Sequence, residues 1–165
     1  MTDFDGLLKR LREADVRFVL IGGFAATIHG SPRTTVELDI VYARDSDNLS
    51  RLAQALAPLS PYLRGAPRGL PFRLDVPTLA RGLNFRLTTD LGDLDLLGEA
   101  AGGGTYEQLS KHTMTLRVFG SEVQVVTLEQ LIHLKRAAGR ARDLEAVAEL
   151  EALLEEQRGT SGAGK

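Results

Sequence analysis

The chain contains no cysteine. Disulfides and thiolate chemistry are therefore excluded, and a zinc site would have to be built from histidine and carboxylates alone. Histidine is nearly as scarce: His29, His112 and His133 lie far apart, without metal-ligand spacing. No apolar run approaches the roughly 18 residues that a membrane span needs. Neither sign of charge dominates, since 20 basic and 22 acidic residues leave a formal net charge of −2. That balance gives no overall pull toward nucleic acid or membrane, although local patches remain open. There is no internal repeat. The N-terminal MTDFDGLLKRLREADV reads as an amphipathic helix rather than a signal peptide, so the expected location is the cytoplasm.

What is present is enough to bury a core. The 165 residues are 43% hydrophobic and 25% charged, which fits one folded domain. That domain is expected over residues 1–158, and the polar GTSGAGK over 159–165 is expected to be a disordered tail.

Residues Phe4 to Ala14 place Leu7, Leu8 and Leu11 on one helical face. RFVLIGG is a short apolar run closed by glycines, as in a buried strand that stops at Gly22, and FAATIHG then fits a short helix. VELDIVY reads as a second strand. DSDNLSRLAQALAPL reads as a helix capped by Asp or Ser and ended by Pro58 and Pro61. Residues 60–74, with three prolines and two glycines, read as irregular, and PTLARGL as a helical turn. NFRLTTD and GDLDLLG form one expected hairpin, and TMTLRVFGSEVQVVTL another with its turn at Gly120 and Ser121. The glycine run of GGGTYEQLSKH leads into a short helix between them. Two helices follow, Leu128 to Ala138 and Asp143 to about Gln157, with a break at Gly139. This order predicts an α/β (α+β) fold with a mixed sheet and a C-terminal helical pair.

The second strand carries acids where strands avoid them. Glu37 and Asp39 alternate with Val36, Leu38 and Ile40, so the two carboxylates share one face. Adjacent anions repel and raise each other's pKa unless a cation intervenes. GDLDLLG repeats the pattern with Asp93 and Asp95. If the two strands are neighbours, a third carboxylate completes an all-oxygen site suited to Mg²⁺ or Mn²⁺. Three carboxylates can serve two ions, an arrangement that fits in-line phosphoryl transfer. One such pair by itself is more often the solvent face of a sheet. Two pairs below the Gly22-Gly23 turn carry more weight, because a glycine turn before a helix lets backbone N–H groups approach a phosphate.

Ile21-Gly22-Gly23 followed, thirteen residues on, by Glu37-Leu38-Asp39-Ile40 resembles the signature of the DNA polymerase β-like nucleotidyltransferase superfamily. HGSPRTTVELDIV is similar to its small bacterial and archaeal members, the minimal nucleotidyltransferases and the toxin or antitoxin proteins among them. LNFRLTTDLGDLDLLG resembles their segment bearing the third acid, here Asp95, and LEQLIHLKRAAGRARDLEAVAEL their C-terminal helical motif. The resemblance covers roughly Val16 to Leu150. It implies the nucleotidyltransferase fold and transfer of a nucleoside monophosphate from an NTP to an acceptor hydroxyl on RNA, protein or a small molecule. It also implies tRNA or a cognate toxin or antitoxin as partner. Glu37, Asp39 and Asp95 would be metal ligands and the catalytic acids, Asp95 acting at the attacking hydroxyl. Gly22, Gly23, Arg33 and Lys135 would bind the nucleotide.

Members of the group usually carry Asp where this chain has Glu37, whose extra methylene displaces the carboxylate by about one bond length. Mg²⁺ demands near-ideal geometry. Two readings therefore stand beside each other: an active transferase, and a degenerate member that binds nucleotide or a partner protein without transfer. A plain interaction module with solvent-facing acids is a third.

The remaining polar residues divide more evenly. Arg64, Arg68, Arg73, Arg81 and Arg86 with the single acid Asp75 give their segment a local charge of +4, either as solvated arginines or as a polyanion contact. Arg33 could reach a phosphate or pair with Glu37 or Asp39. Arg142 and Asp143 read as a structural pair at a helix start, and His29 as a helix-end hydrogen-bonding group. Phe24 reads as core, and Asn84 and Thr88, alternating along a strand before Asp95, as polar neighbours of the site.

Overall fold

The computed structural model describes residues 1–163, with side chains as far as residue 159. Of the tail expected over 159–165, residues 159–163 continue the last helix and 164–165 lie outside the described residues. Helix α1 (Phe4–Glu13) leads into β1 (Phe18–Ile21), α2 (Gly22–Ile28), β2 (Glu37–Tyr42) and α3 (Ser46–Leu56). After a 3₁₀ turn come β3 (Tyr62–Leu63), α4 (Val76–Arg81), β4 (Asn84–Thr89) and β5 (Gly92–Leu97). Two short strands, β6 (Glu99–Ala100) and β7 (Gly104–Thr105), precede α5 (Tyr106–Leu109). The chain continues through β8 (Thr113–Val118), β9 (Ser121–Val126), α6 (Leu128–Ala138) and α7 (Ala141–Ala163).

Local chemistry explains where the helices begin. Asp3, Asp45 and Thr127 each cap one, their side-chain oxygens accepting from the backbone N–H of Gly6, Asn48 and Gln130, groups a helix leaves unpaired. Gly139 ends α6 in the left-handed conformation, φ 68°.

Seven strands form one mixed sheet in the order β3-β4-β5-β2-β1-β9-β8. At its centre β2 runs antiparallel to β1 and parallel to β5, while β4 is antiparallel to β5. Leu38, Ile40, Leu87, Leu94 and Leu96 are fully buried on one side of the central strands. Leu7, Leu8 and Leu11 of α1 and Leu49, Leu52 and Leu56 of α3 join the same core. By alternation the acids of β2 and β5 lie on the opposite face. Thr2 fastens the acid-bearing ends of these two strands: its hydroxyl donates to Val36 O and accepts from Asp93 N (3.1 Å).

The expected fold class holds, with local differences. Val36 precedes β2 and is exposed instead of joining Leu38 and Ile40 in the core. The irregular stretch 60–74 contributes β3, because its first residues find a free edge on β4. The last helix starts at Ala141, two residues before Asp143, and the glycine run carries β6 and β7.

Candidate active site

The parallel pairing of β2 with β5 sets Glu37 opposite Asp93 and Asp39 opposite Asp95. Four carboxylates thus share one sheet face in two adjacent rows. On the far side of β5, β4 extends those rows with Thr88 opposite Asp93 and Arg86 opposite Asp95. One oxygen from each of Glu37, Asp39 and Asp95 lies within 4.8 Å of the others. An all-oxygen set at this spacing fits Mg²⁺ or Mn²⁺.

Asp39 registers the crowding most strongly. Burial, the charge of Asp95, a hydrogen bond shared with Asp95 and the charge of Glu37 push its pKa up to about 8, against the pull of Lys135. Burial leads that shift and the neighbouring carboxylates add to it, so a cation among them would relieve the repulsion.

The glycine turn is built against this cluster. Ile21 pairs with Asp39 across the sheet, and the next residue, Gly22, has φ +75°. A Cβ at Gly22 would lie 2.7 Å from Asp39 Cγ, and one at Gly23 2.8 Å from Thr35 Oγ1. Glycine is thus required by close approach to the acid strand as well as by the turn.

Helices α6 and α7 form the facing wall of a cavity of about 620 Å³. Gly22, Gly23, Glu37, Asp39 and Asp95 line one side of it, and Lys135, Arg140 and Arg142 the other. Lys135 Nζ is held 3.6 Å from Asp143 Oδ1, while Arg140 Nε donates to Asp143 Oδ2 (2.6 Å). Burial alone would raise the pKa of Asp143. The hydrogen bonds and charge of Arg140, with the charge of Lys135, outweigh it and hold the carboxyl below its ordinary range.

The other residues singled out from the sequence are placed as follows. Arg33 borders the cavity but pairs bidentately with Glu149 of α7 (2.7 and 2.9 Å), and with neither Glu37 nor Asp39. Asp143 is paired with Lys135 and Arg140 rather than with Arg142. Asn84 accepts from Gly98 N (3.0 Å), and Thr88 lies beside Asp93. His29 Nε2 sits 2.7 Å from Val126 O, a structural hydrogen bond. Phe24 is buried and stacks between Phe4 and Phe119.

Two residues belong to the site's surroundings in ways the sequence does not signal, while Asp93, paired with Asp95 in the sequence pattern, joins them through the strand register. Asp143 anchors two cations. Arg64, grouped by sequence with the basic segment, instead lies within the acid cluster. The pairing of β3 with β4 carries it there: its backbone N–H donates to Arg86 O (2.8 Å), beyond the Leu63–Leu87 pair. Its guanidinium donates from Nη1 to Glu37 Oε1 (3.2 Å) and from Nη2 to both Asp95 Oδ1 (2.5 Å) and Leu87 O (2.9 Å).

The profile of a family described as "Nucleotidyl transferase AbiEii toxin, Type IV TA system" matches residues 6–144 of this chain. Solved structures share its fold. One is TM1012 of Thermotoga maritima, a candidate nucleotidyltransferase, at 18% identity and TM-score 0.55, with 92% of this chain and 90% of that one covered. Another is the lincomycin-bound lincosamide antibiotic adenylyltransferase LnuA, at 14% identity and TM-score 0.58, with 92% and 98% covered. A third is an antigenic nucleotidyltransferase-like protein of Paracoccidioides brasiliensis, at 17% identity and TM-score 0.51, with 92% and 78% covered. No curated protein sequence matches the chain significantly. No helix among the described residues is long and apolar enough to cross a membrane.

Proposed function

This chain belongs to the AbiEii nucleotidyl transferase toxin family, and from that premise we propose a toxin that transfers a nucleoside monophosphate from an NTP to an acceptor hydroxyl in the cytoplasm, with Mg²⁺ or Mn²⁺ bound at its acid cluster. The observation that carries this reading is the meeting of Glu37, Asp39 and Asp95 within 4.8 Å, beside the glycine turn and across a cavity from Lys135.

Glu37, Asp39 and Asp95 would hold the divalent ion. When bound, it supplies Lewis-acid polarisation of the attacking hydroxyl and neutralises charge on the phosphates. The backbone N–H groups of Gly22 and Gly23 approach the phosphates, which no side chain obstructs there. Lys135, oriented by Asp143, contributes a point charge to the triphosphate from the facing wall. Arg33 stands at the rim as a further phosphate contact. Asp95 accepts the proton of the acceptor hydroxyl. The hydroxyl oxygen bonds to the α-phosphorus as the α–β phosphoanhydride bond breaks, and pyrophosphate leaves.

A second reading, a degenerate member that binds nucleotide or a cognate antitoxin without transfer, draws on two features. Glu37 is longer than the usual Asp, and Arg64 already engages Glu37 and Asp95. Incubation with each α-labelled NTP, Mg²⁺ or Mn²⁺, and total RNA including tRNA separates the two. A parallel arm uses protein and small hydroxyl compounds, since LnuA is described as an antibiotic adenylyltransferase. Label on an acceptor, lost in Asp95→Ala, supports transfer. A folded protein that binds NTP yet labels no acceptor supports the second reading.

A further inference from the structure

We propose that Arg64 is a resident cation that takes the place of one of two divalent ions, so that the site binds a single ion. This rests on the metal-site reading above and concerns how many ions that site admits.

The first argument is occupancy. Arg64 claims one oxygen of Glu37 (Oε1, 3.2 Å) and one of Asp95 (Oδ1, 2.5 Å). Two ions bound side by side need bridging carboxylates, each giving an oxygen to each ion. A second ion bridging Glu37 and Asp95 would have to share Glu37 Oε1 and Asp95 Oδ1 with the guanidinium and lie against its positive charge, which favours one ion, near Asp39. Arg86 reinforces the restriction, with its guanidinium 3.9 Å from Glu37 Oε1 and from Asp95 Oδ2.

The second argument is that Arg64 is anchored. Nη2 also donates to Leu87 O (2.9 Å), its backbone N–H is paired with β4, and its side chain is only 20% exposed. Its Nε is buried without a hydrogen-bond partner and faces Asp93 Oδ2 at 3.6 Å. A guanidinium so desolvated is held in place by the surrounding carboxylates, because leaving a buried charge unpaired costs more than the pairing returns. A mobile gate would not be fastened at backbone, carboxylate and edge strand together.

The third argument is charge. With all four carboxyls ionised, as a bound cation requires of Asp39, Glu37, Asp39, Asp93 and Asp95 carry four negative charges, and Arg64 and Arg86 two positive ones. The remaining −2 is what one divalent ion neutralises. Arg64 also does not line the cavity, whose facing wall is α6 and α7. It closes the flank of the cluster nearest β3 and leaves the cavity flank for the ion.

The test counts ions with Mn²⁺ alone as probe, by electron paramagnetic resonance and calorimetry, on wild type, Arg64→Gln and Arg64→Lys. Wild type is expected to bind one equivalent without spin coupling. Arg64→Gln is expected to bind two equivalents with the exchange-broadened signal of neighbouring ions, and Arg64→Lys one. A wild type that binds two coupled ions overturns the proposal whatever the fate of the variants. Equal stoichiometry and affinity in wild type and a folded Arg64→Gln also overturn it, while leaving the metal site standing. Absence of binding in every protein, or binding indifferent to Asp39→Ala, removes the metal-site reading and this proposal with it.

Discussion

Replacing Gly22 by alanine tests the close approach of the turn to the acid strand. A Cβ at this position would lie 2.7 Å from Asp39 Cγ and 2.8 Å from Asp39 Cβ. Ordinary carbon contact begins near about 3.5 Å, so the Asp39 carbons or the turn must retreat by at least roughly 0.8 Å, and Asp39 Oδ2, which comes nearer still, by more. The φ of +75° adds a second cost, since an L-residue in the left-handed region loses about 1–2 kcal/mol. Overpacking at a rigid contact adds about 1–3 kcal/mol, for a total of roughly 2–5 kcal/mol. Urea unfolding of the metal-free protein measures that loss. Mn²⁺ affinity measures the displaced ligand, and transfer rate is expected to fall on the order of a hundredfold, as for a misplacement near 1 Å. Gly23→Ala is the control. Its Cβ meets Thr35 (2.8 Å to Oγ1) and not Asp39, so metal affinity is expected to survive while stability falls less. A Gly22→Ala protein with wild-type stability and Mn²⁺ affinity refutes the reasoning.

In the absence of metal, Asp39 keeps its proton in the fold up to about pH 8 but releases it near about pH 4 when unfolded. The folded state therefore binds the extra proton between those values, and this group's contribution to stability is expected to decline as pH rises across that window. Urea midpoints in EDTA measure the decline, and Asp39→Asn should flatten it; parallel curves for the two proteins would contradict the assignment. Asn48→Ala is expected to cost about 3 kcal/mol in urea unfolding. Asn48 is fully buried, accepts from Arg17 N (2.7 Å) and donates to Ala43 O (2.7 Å) and Arg17 O (3.1 Å). Arg33→Ala is expected to change stability by less than about 1 kcal/mol, because its pair with Glu149 is exposed. In steady-state kinetics it should raise KM for the nucleotide with kcat nearly unchanged, and an unaltered KM would remove Arg33 from the nucleotide site.

Much of this architecture is legible from short-range patterns. The leucine spacing of α1, the cap at Asp45 and the glycine stop after α6 are encoded within single turns of chain. The acids of β2 and β5 stand out because carboxylates alternating with leucine contradict strand preference. The signal weakens where a position depends on distant pairing. That Asp39 lies opposite Asp95 follows from a parallel register set 56 residues apart, which alternation alone cannot specify. Arg64 is hidden for the same reason: proline and glycine around it suggest an irregular loop, and only the two-residue pairing of β3 with β4 carries it to the acids. Asp143 looked like a partner for its neighbour Arg142, yet the turn at Gly139 folds Lys135 and Arg140 onto it instead.

The acid rows have a consequence for assembly as well as chemistry. Strand side chains alternate with a period of two, so a slip of one residue exchanges faces. For β2 or β5 such a slip would drive carboxylates into the space now filled by Leu38, Ile40, Leu94 and Leu96, and would turn those aliphatic side chains out of the core. Burying unpaired carboxylates is costly enough to forbid the misaligned sheet. Thr2, joining Val36 to Asp93, would lose its bridge in the same event. The residues proposed to bind metal thus also act as a proofreading device for folding: the sheet that pairs wrongly cannot close over its own charges.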